Sequence, residues 1–152
     1  MSSLSRIEVR IQVGDSLLAA SDDPLFLGLR GPHGREFRLL LAHGKSLRRK
    51  AHDHYVLAGA SDPDTNVHAP ELNDPTSPPL EAGSIHGAYL RKGLDPIPNV
   101  RAVGELDDRL EVLEAEVVLR HGEGSQRFFR AGPLWLGLNA GLFFDLAPAD
   151  GA

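Results

Sequence analysis

Cysteine is absent from the chain, and several other features that mark particular protein classes are scarce. The 152 residues include no cysteine, one tryptophan and one methionine. The absence of cysteine excludes disulfide bonds and thiolate metal sites, but it leaves the redox compartment open. The apolar run from Leu39 to Ala42 is far too short to cross a membrane. With 41% hydrophobic residues, the composition instead suits one globular domain covering residues 1–152.

An excess of positive charge is also absent, since the formal net charge is -5 at pH 7. Binding to nucleic acid without sequence preference needs a basic surface that displaces counterions from the phosphates. We therefore expect no nucleic-acid partner. The first residues contain no basic stretch followed by an apolar run, so no secretory signal is recognisable and a cytoplasmic location is expected.

Motifs for nucleophilic catalysis are missing as well. The chain has no Gly-x-Ser-x-Gly sequence and no glycine-rich loop of the kind that cradles phosphate. An enzyme hypothesis therefore rests on histidine, because His52 and His54 fall on the same side of an expected strand. His43, His68 or His86 would supply the third ligand of a zinc site. Histidines in polar loops need no metal, so the sequence favours a protein that is not an enzyme.

Alternation of apolar and polar residues predicts strands through the first half of the chain. Apolar side chains occupy every second position from Ile7 to Val13, as expected for a strand with one buried face. Two further alternating runs, 25–29 and 37–41, are separated by the short turn 31–34, which predicts a hairpin. A fourth strand is expected from Asp53 to Gly59.

Residues 59–83 break this alternation. They contain five prolines interspersed with aspartate and asparagine, a composition that favours turns and cannot sustain a hydrogen-bonded ladder. A loop of this length is uncommon inside a compact domain. We interpret it as either an inserted segment or a mobile flap.

The second half of the chain is less clearly patterned. A short strand is expected between Ile85 and Leu90. The segment 106–121 is ambiguous, because its leucine spacing fits a helical face whereas its valines favour a strand. Gly122-Glu-Gly124 resembles a hairpin turn, which tips the interpretation toward strand. Trp135 and the apolar residues 142–144 are expected to complete the core of a sandwich or barrel.

The segment 47–55 resembles a pattern of PLAT (lipoxygenase homology) domains. That pattern reads aromatic-x-Arg-Gly-Ser-x-Asp-x-Phe, and its turn delivers an aromatic side chain into the core. Arg49 and Asp53 match it, and Tyr55 stands at the final aromatic position. The two residues after Arg49 are lysine and alanine, where the pattern has glycine and serine.

Two more segments are similar to the same family. Val13-Gly-Asp15 resembles the end of its first strand, and Phe128-Phe129 with Trp135-Leu136 resembles its late aromatic strand. The resemblance covers roughly residues 6–58 and 84–137 and skips the proline-rich loop. It implies an all-β fold, namely an antiparallel eight-stranded β-sandwich of PLAT type with one long Pro-rich loop.

The resemblance also implies docking to a lipid surface or a protein, sometimes with calcium held in loops at one edge of the sandwich. Calcium takes oxygen ligands from carboxylates and carbonyls, and Asp15, Asp22 and Asp23 lie in the first loop between strands. These carboxylates could converge on calcium, or they could form turns through local hydrogen bonds. No other cofactor is expected.

A basic cluster supplies the candidate contact residues. Lys45, Arg48 and Lys50 lie beside the matched residues without matching the pattern themselves. Near an anionic membrane each of these cations contributes about 1 kcal/mol to binding. The only tryptophan is expected in the core, so it is not expected to insert into lipid. Arg49 is expected to pair with Asp53, so it is not counted among the contact residues. We therefore interpret the chain as a noncatalytic binding or adaptor module that docks to a protein partner. Peripheral binding to anionic lipid, assisted by calcium, is the alternative.

Overall fold

Eight strands and two short 3-10 turns make up the described part of the chain. The computed structural model describes residues 2–15, 24–44, 46–93, 109–137 and 140–149. The 3-10 turns are Pro70–Leu72 and Ala82–Ser84, and no helix in these residues is long and apolar enough to span a membrane. The strands are β1 (Leu4–Val13), β2 (Leu25–Arg30), β3 (Arg35–Arg38), β4 (His52–Leu57), β5 (Gly87–Lys92), β6 (Leu110–His121), β7 (Gly124–Leu136) and β8 (Phe143–Ala149).

The strands pair antiparallel throughout, in the order β3-β2-β5-β8-β7-β6-β1-β4. The sheet turns over at β8, because residues 143–146 pair with β5 whereas residues 147–149 pair with β7. A strand that switches partners in this way divides the sheet into two layers, β3-β2-β5-β8 and β4-β1-β6-β7. The predicted all-β antiparallel eight-stranded β-sandwich is confirmed, and β3 and β4 are its two free edges.

The core lies between the two layers and follows from the period-two pattern of the strands. In β1, each inward residue from Ile7 to Val13 is at most 1% exposed, and the polar residues between them face outward. Burying one aliphatic side chain of this size stabilises the fold by about 1.5–3 kcal/mol. The inner faces of β2, β5 and β6 contribute further fully buried residues, including Leu27, Leu90 and Val117.

The first-half strands are confirmed with small shifts at their ends. β2 and β3 form the expected hairpin, although β3 ends at Arg38 and Leu39 is buried beyond it. β4 covers residues 52–57 where 53–59 had been expected. The short strand expected at 85–90 lies two residues later, as β5.

The ambiguous segment 106–121 is a strand from Leu110 onward, whereas residues 106–108 lie outside the described part of the chain. β6 and β7 pair across the predicted turn, where Gly122 has φ +54°, a conformation that glycine adopts without a steric penalty. A twelve-residue strand here overrides the helical leucine spacing, because both of its neighbours supply ladder partners.

The late apolar residues divide between the core and the surface. Phe144 is buried, as predicted for a closing strand, whereas Leu142 is only partly buried. Leu146, which the prediction did not include, is also buried. The expectation that Trp135 belongs to the core is wrong, because it is only partly buried. Leu136, its neighbour on β7, takes the inward position at 1% exposure, so strand alternation turns the indole outward. Phe143 is likewise turned outward beside buried Phe144 and is 56% exposed.

Residues 58–86 close the open side of the sandwich, where the two free edges lie. Asn66 caps β4 with its side-chain amide, because its Oδ1 accepts from the Val56 N–H at 2.8 Å and its Nδ2 donates to the His54 carbonyl at 2.8 Å. Thr65 Oγ1 accepts from the Ala58 N–H at 3.1 Å. These side chains take the place of a neighbouring strand along the outer edge of β4.

The same segment caps β3. Asn73 Oδ1 accepts from the Arg38 N–H at 2.7 Å, and the Asp74 carbonyl accepts from the Arg35 guanidinium at 2.6 Å. An uncovered edge strand is a template for pairing with another chain. One loop therefore covers part of both edges, a role that neither interpretation of residues 59–83 had included. The assignment of residues 1–152 to one domain stays a prediction.

Candidate functional site

Four connections lie at one end of the sandwich, which we call the loop end. Val13 pairs with Val112, so the connection after β1 lies beside the start of β6. In the other layer Leu25 pairs with Lys92, which brings the start of β2 to the end of β5. The strand ends that lie there are Val13 and Leu25, Arg38 and His52, Lys92 and Leu110, and Leu136 and Phe143.

Asp53 holds together the segment that carries the family pattern. It is buried, and its Oδ2 accepts from the Leu47 N–H at 2.6 Å and from the Tyr55 hydroxyl at 3.3 Å. Tyr55 is fully buried, and burial together with the nearby Asp53 charge raises the pKa of its hydroxyl. These residues fix the turn and its core anchor, so contact with a ligand falls to their exposed neighbours.

Lys50 has a left-handed backbone conformation at the position where the pattern that residues 47–55 resemble has glycine. Its φ is +64°, in the left-handed region, and its side chain is 64% exposed. A residue other than glycine is disfavoured in that region by roughly 1–2 kcal/mol. The turn is therefore maintained with a lysine where glycine would be less strained.

Arg49 pairs with Asp15, so the expected pairing with Asp53 is wrong. Its Nε donates to the Asp15 carbonyl at 2.8 Å and its Nη2 lies 3.1 Å from the Asp15 carboxylate. Lys50 Nζ lies 3.5 Å from the same carboxylate oxygen. The Asp53 carboxylate is engaged inside the turn, which leaves Arg49 to fasten the turn to the end of β1.

The candidate contact and calcium residues are only partly placed. Arg48 and Lys50 are exposed at the loop end, whereas Lys45 lies outside the described residues. Asp22 and Asp23 also lie outside them, so their convergence with Asp15 on calcium stays a prediction. Within the described ranges, no three histidine, aspartate or glutamate side chains are arranged to hold a metal ion.

Two aromatic side chains lie beside the connection 137–142 at the loop end. Phe143 begins β8 and is 56% exposed. Trp135, near the end of β7, is partly buried beneath Arg109, whose guanidinium carbon lies 5.1 Å from the ring centroid. The loop end thus presents apolar surface as well as basic side chains.

The outer surface of β3-β2-β5-β8 combines arginines with aromatic rings, and we call it the arginine–aromatic face. Arg91 lies 4.4 Å from the Phe26 ring centroid, and Arg30 lies 4.5 Å from that of Tyr89. The Tyr89 and Phe143 rings meet edge to face with centroids 6.3 Å apart. Such contacts stabilise each pair by about 0.5–1.5 kcal/mol.

Charge pairs satisfy the polar groups of the arginine–aromatic face. Glu36 accepts from the Tyr89 hydroxyl and from two nitrogens of Arg91, each at 2.8 Å. The hydrogen bonds from Arg91 lower the pKa of Glu36, and the hydrogen bond from the Tyr89 hydroxyl lowers it further. Burial of the carboxylate acts in the opposite direction and is outweighed. Arg30 contacts Asp145 Oδ1 at 2.9 Å.

A cleft of about 390 Å³ lies on the outer surface of the β4-β1-β6-β7 layer, and we call it the polar cleft. Strand register arranges six of its side chains in two rows that cross β4, β1 and β6. Neighbouring strands lie about 4.8 Å apart, so the side chains of one row lie close together. The rows are His52, Gln12 and Glu114, and His54, Arg10 and Glu116.

The two histidines lie on one side of β4, as predicted. The proposed third zinc ligand is not found, because within the described residues neither His43, His68 nor His86 joins them in a group of three metal-binding side chains. His54 Nε2 instead lies 3.4 Å from a Glu8 carboxylate oxygen, which favours an ion pair when the imidazole is protonated.

Sequence reasoning did not identify Arg10, Gln12 and Glu114 as candidate site residues. The alternation of β1 does indicate that Arg10 and Gln12 face solvent. Their position beside Glu114 depends on the register between β1 and β6, which neither strand specifies alone.

No family model and no curated protein matches the chain.

Solved structures from two kinds of protein share the fold. Clostridium perfringens alpha-toxin from an avian strain matches 95% of this chain with TM-score 0.61 and 13% identity, and the match covers 31% of the toxin chain. The alpha-toxin of Clostridium absonum matches 94% with TM-score 0.60 and 15% identity, over 31% of its length. Coral 8R-lipoxygenase, described as activated by calcium through a C2-like domain, matches 97% with TM-score 0.60 and 12% identity, over 17% of its length.

The chain thus spans about a third or less of each of these proteins. At 12–15% identity the likeness concerns the fold. The Asp53 turn and the buried Tyr55 agree with the roles that the pattern of residues 47–55 implies. The chain has the PLAT-like β-sandwich fold that its residues 47–55 predict.

Proposed function

We propose that the chain is a noncatalytic docking module that attaches to an anionic lipid surface through its loop end. The observation that carries this proposal is the presence of exposed aromatic and basic side chains at the same end of the sandwich. Phe143 is 56% exposed, and Arg48 and Lys50 are exposed in the turn before β4. Peripheral binding to membranes combines buried apolar area with attraction of cations to anionic headgroups.

The size of these contributions explains why both kinds of residue are needed. Lys45, Arg48 and Lys50 would each contribute about 1 kcal/mol close to an anionic surface. Asp15 already attracts Lys50, which reduces the share of that cation. A phenylalanine that moves from water into the interface contributes about 1.5–3 kcal/mol when fully buried. Attachment therefore depends on Phe143 together with the cations.

The backbone of Lys50 supports a role for its side chain. Strained left-handed residues persist where the surrounding structure holds them, and they cluster at functional sites. Lys50 has φ +64° in a turn whose family pattern has glycine at this position. A cation is therefore kept at the loop end in spite of a cost to stability.

Calcium assistance belongs to the same proposal. Asp15, Asp22 and Asp23 are its candidate ligands, because calcium prefers carboxylate oxygens. The Asp15 carboxylate is contacted by Arg49 and Lys50 at 3.1 and 3.5 Å. Calcium at Asp15 would displace both cations and leave them available to anionic headgroups. Coral 8R-lipoxygenase, which shares the fold, is described as activated by calcium.

Docking to a protein partner is a second candidate, and the arginine–aromatic face favours it. Arginine and aromatic residues are enriched in protein interfaces. Asn66 and Asn73 occupy parts of both free edges, so a partner would dock on this face and not by adding a strand. In either role, the cytoplasmic location stays a prediction.

Vesicle co-sedimentation tests the lipid proposal. The chain is mixed with phosphatidylcholine vesicles, with or without phosphatidylserine, in the presence and absence of calcium. We expect pelleting only with phosphatidylserine, and more of it with calcium. Combined substitution Lys45→Glu, Arg48→Glu and Lys50→Glu is expected to abolish pelleting because it reverses the charge of the cluster.

Two matched variants separate loss of contact from loss of folding. Lys50→Gly removes one cation and relieves the left-handed strain, so it should raise stability by about 1 kcal/mol while weakening pelleting. Phe143→Ala should weaken pelleting more than Leu72→Ala, because Leu72, which is 73% exposed, lies in the proline-rich segment and belongs neither to the basic turn nor to the connection beside Phe143. Absence of pelleting under every condition, or equal effects of these two alanines, would refute lipid docking. A partner captured by the chain and lost on Arg91→Ala would favour the second candidate.

A further inference from the structure

Unpaired polar side chains concentrate in the polar cleft. Arg10, Gln12, His52 and Glu114 form no side-chain hydrogen bond or ion pair with the described residues. Elsewhere on the same face, side chains pair with one another: Arg120 Nε donates to Glu8 at 2.6 Å. The polar groups of this face are therefore satisfied internally except at the cleft.

Arg10 is unpaired because the carboxylate directly opposite it in the register is already engaged. In the register it lies directly opposite Glu116 on β6 and His54 on β4. Opposite charges in such a position normally attract across the strands. The Glu116 carboxylate instead accepts from Arg127 Nε at 2.6 Å. Arg127 neutralises that carboxylate and leaves the Arg10 guanidinium available at the cleft.

The lining excludes several ligand classes. Among the described residues, the cleft lining has no Phe, Tyr or Trp, the side chains over whose faces a quaternary ammonium group binds best. Within the described residues no group of three side chains can hold a metal ion.

The positions of the charges define the ligand. An arginine binds a phosphate or carboxylate through two parallel hydrogen bonds. His54 lies beside Arg10 in the same row. Its Nε2 is directed at Glu8, so its Nδ1 is the atom left to serve as a third donor. Glu114, one row away on the adjacent strand, is an acceptor for an ammonium group. Gln12 lies beside Glu114 and can donate to or accept from either part of a ligand. Alternate residues lie about 6.7 Å apart along a strand, so the two charges are separated by the length of a short linker.

We infer that the polar cleft binds a small zwitterion in which an anionic phosphate or carboxylate is joined by a short linker to an ammonium group. Arg10 and His54 hold the anionic group, and Glu114 holds the ammonium group. The site lies on the outer surface of the β4-β1-β6-β7 layer and involves neither Phe143 nor the basic turn. It is therefore independent of lipid docking by the loop end.

Titration of the isotope-labelled chain with O-phosphoethanolamine, followed by amide NMR, tests this site. We expect chemical-shift changes concentrated at residues 10–12, 52–54 and 114–116. Inorganic phosphate and ethanolamine, which each carry one half of the ligand, should bind about tenfold more weakly, since each loses one charge-assisted contact. The titration contains no membrane, so its failure would leave the lipid proposal intact.

Charge-neutralising variants give the decisive comparison. Arg10→Gln should weaken binding about tenfold and Glu114→Gln by a smaller factor, because the arginine makes the bidentate contact. Arg6→Gln is the matched control, since it neutralises an arginine of the same strand and face that pairs with Asp62 and Asp64 outside the cleft. The amide spectrum of each variant also shows directly whether the variant is folded.

Three results would overturn the inference. They are the absence of localised shift changes at a concentration on the order of 10 mM, equal binding of phosphate and O-phosphoethanolamine, and equal weakening by Arg10→Gln and Arg6→Gln. Neutral vesicles that contain phosphatidylethanolamine identify the source of the ligand. If the chain is retained on these vesicles and Arg10→Gln abolishes that retention, the ligand of the site is a lipid headgroup. If the chain binds only soluble O-phosphoethanolamine, the ligand is a free metabolite.

Discussion

The arginine–aromatic face and the polar cleft lie on opposite outer surfaces of one sandwich. Both carry charged side chains, but those of the face are paired with one another, whereas several of those in the cleft are unpaired. On the arginine–aromatic face, Glu36 joins Arg91 and Tyr89 through three hydrogen bonds of 2.8 Å. In the polar cleft, Arg10 and Glu114 form no such contact with the described residues. Substitutions on the first surface should therefore change stability, and substitutions in the second should change binding.

Gly28→Ala should have the largest effect, because it disturbs the centre of the arginine–aromatic face. A Cβ atom at Gly28 would lie 1.9 Å from Tyr89 Cζ, so the ring must move. That movement disrupts the contacts of Tyr89 with Glu36, Arg30 and Phe143. We expect a loss of about 2 kcal/mol in the free energy of unfolding, measured by urea denaturation.

A double-mutant cycle isolates the cause of that loss. In a Tyr89→Ala background the space above Gly28 is empty, and alanine in a strand is favoured over glycine by about 0.5–1 kcal/mol. Gly28→Ala should then be neutral or stabilising. If it destabilises both backgrounds equally, the ring is not the obstacle.

Glu36→Gln should have an intermediate, pH-dependent effect. The folded state lowers the pKa of Glu36 below its ordinary value of 4.5. The glutamate therefore contributes stability that is present above that value and is lost as the pH falls through the depressed pKa. At pH 7 the variant should be less stable by about 1 kcal/mol.

Urea midpoints of the two proteins at a series of pH values check the direction of the Glu36 effect. The difference between wild type and Glu36→Gln should shrink from pH 5 downward. A constant difference across that range would contradict the role given to the carboxylate. Glu114→Gln serves as the control, because Glu114 is exposed and unpaired within the described residues.

Glu114→Gln and Arg10→Gln should have the smallest effect on stability, within about 0.5 kcal/mol at pH 7. Neither side chain contributes a hydrogen bond or ion pair to the described fold. Thermal unfolding measures this directly. A loss of more than 1 kcal/mol would mean that these residues hold the sandwich together and would remove the contrast between the two surfaces.

The predictions of β1 and of the β2-β3 hairpin are confirmed because a strand that is buried on one side has apolar residues at every second position. Each inward side chain of β1 is buried, and each polar neighbour faces out. β6 was harder to predict because its leucine spacing also fits a helix. What makes it a strand is hydrogen bonding to β1 on one side and β7 on the other. Such partners are remote in sequence, so local propensity did not settle the structure.

The candidate sites were less predictable for the same reason. Asp53 and Tyr55 were identified through a local pattern, and their contacts are local. The pairing of Arg49 with Asp15 joins residues separated by 34 positions, and it replaced the predicted local pair with Asp53. The polar cleft depends on three strands in register, which no single segment encodes.

The two edge caps become available at different times while the chain is being synthesised. Asn66 follows the Val56 amide that it covers by 10 positions, whereas Asn73 follows its Arg38 partner by 35. On a ribosome, β4 therefore gains its cap almost as soon as it emerges, and the β3 edge waits for a much longer stretch of nascent chain. Exposed edges attract neighbouring polypeptides while synthesis proceeds. The outer edge of β3 therefore stays uncovered for longer during synthesis than the outer edge of β4.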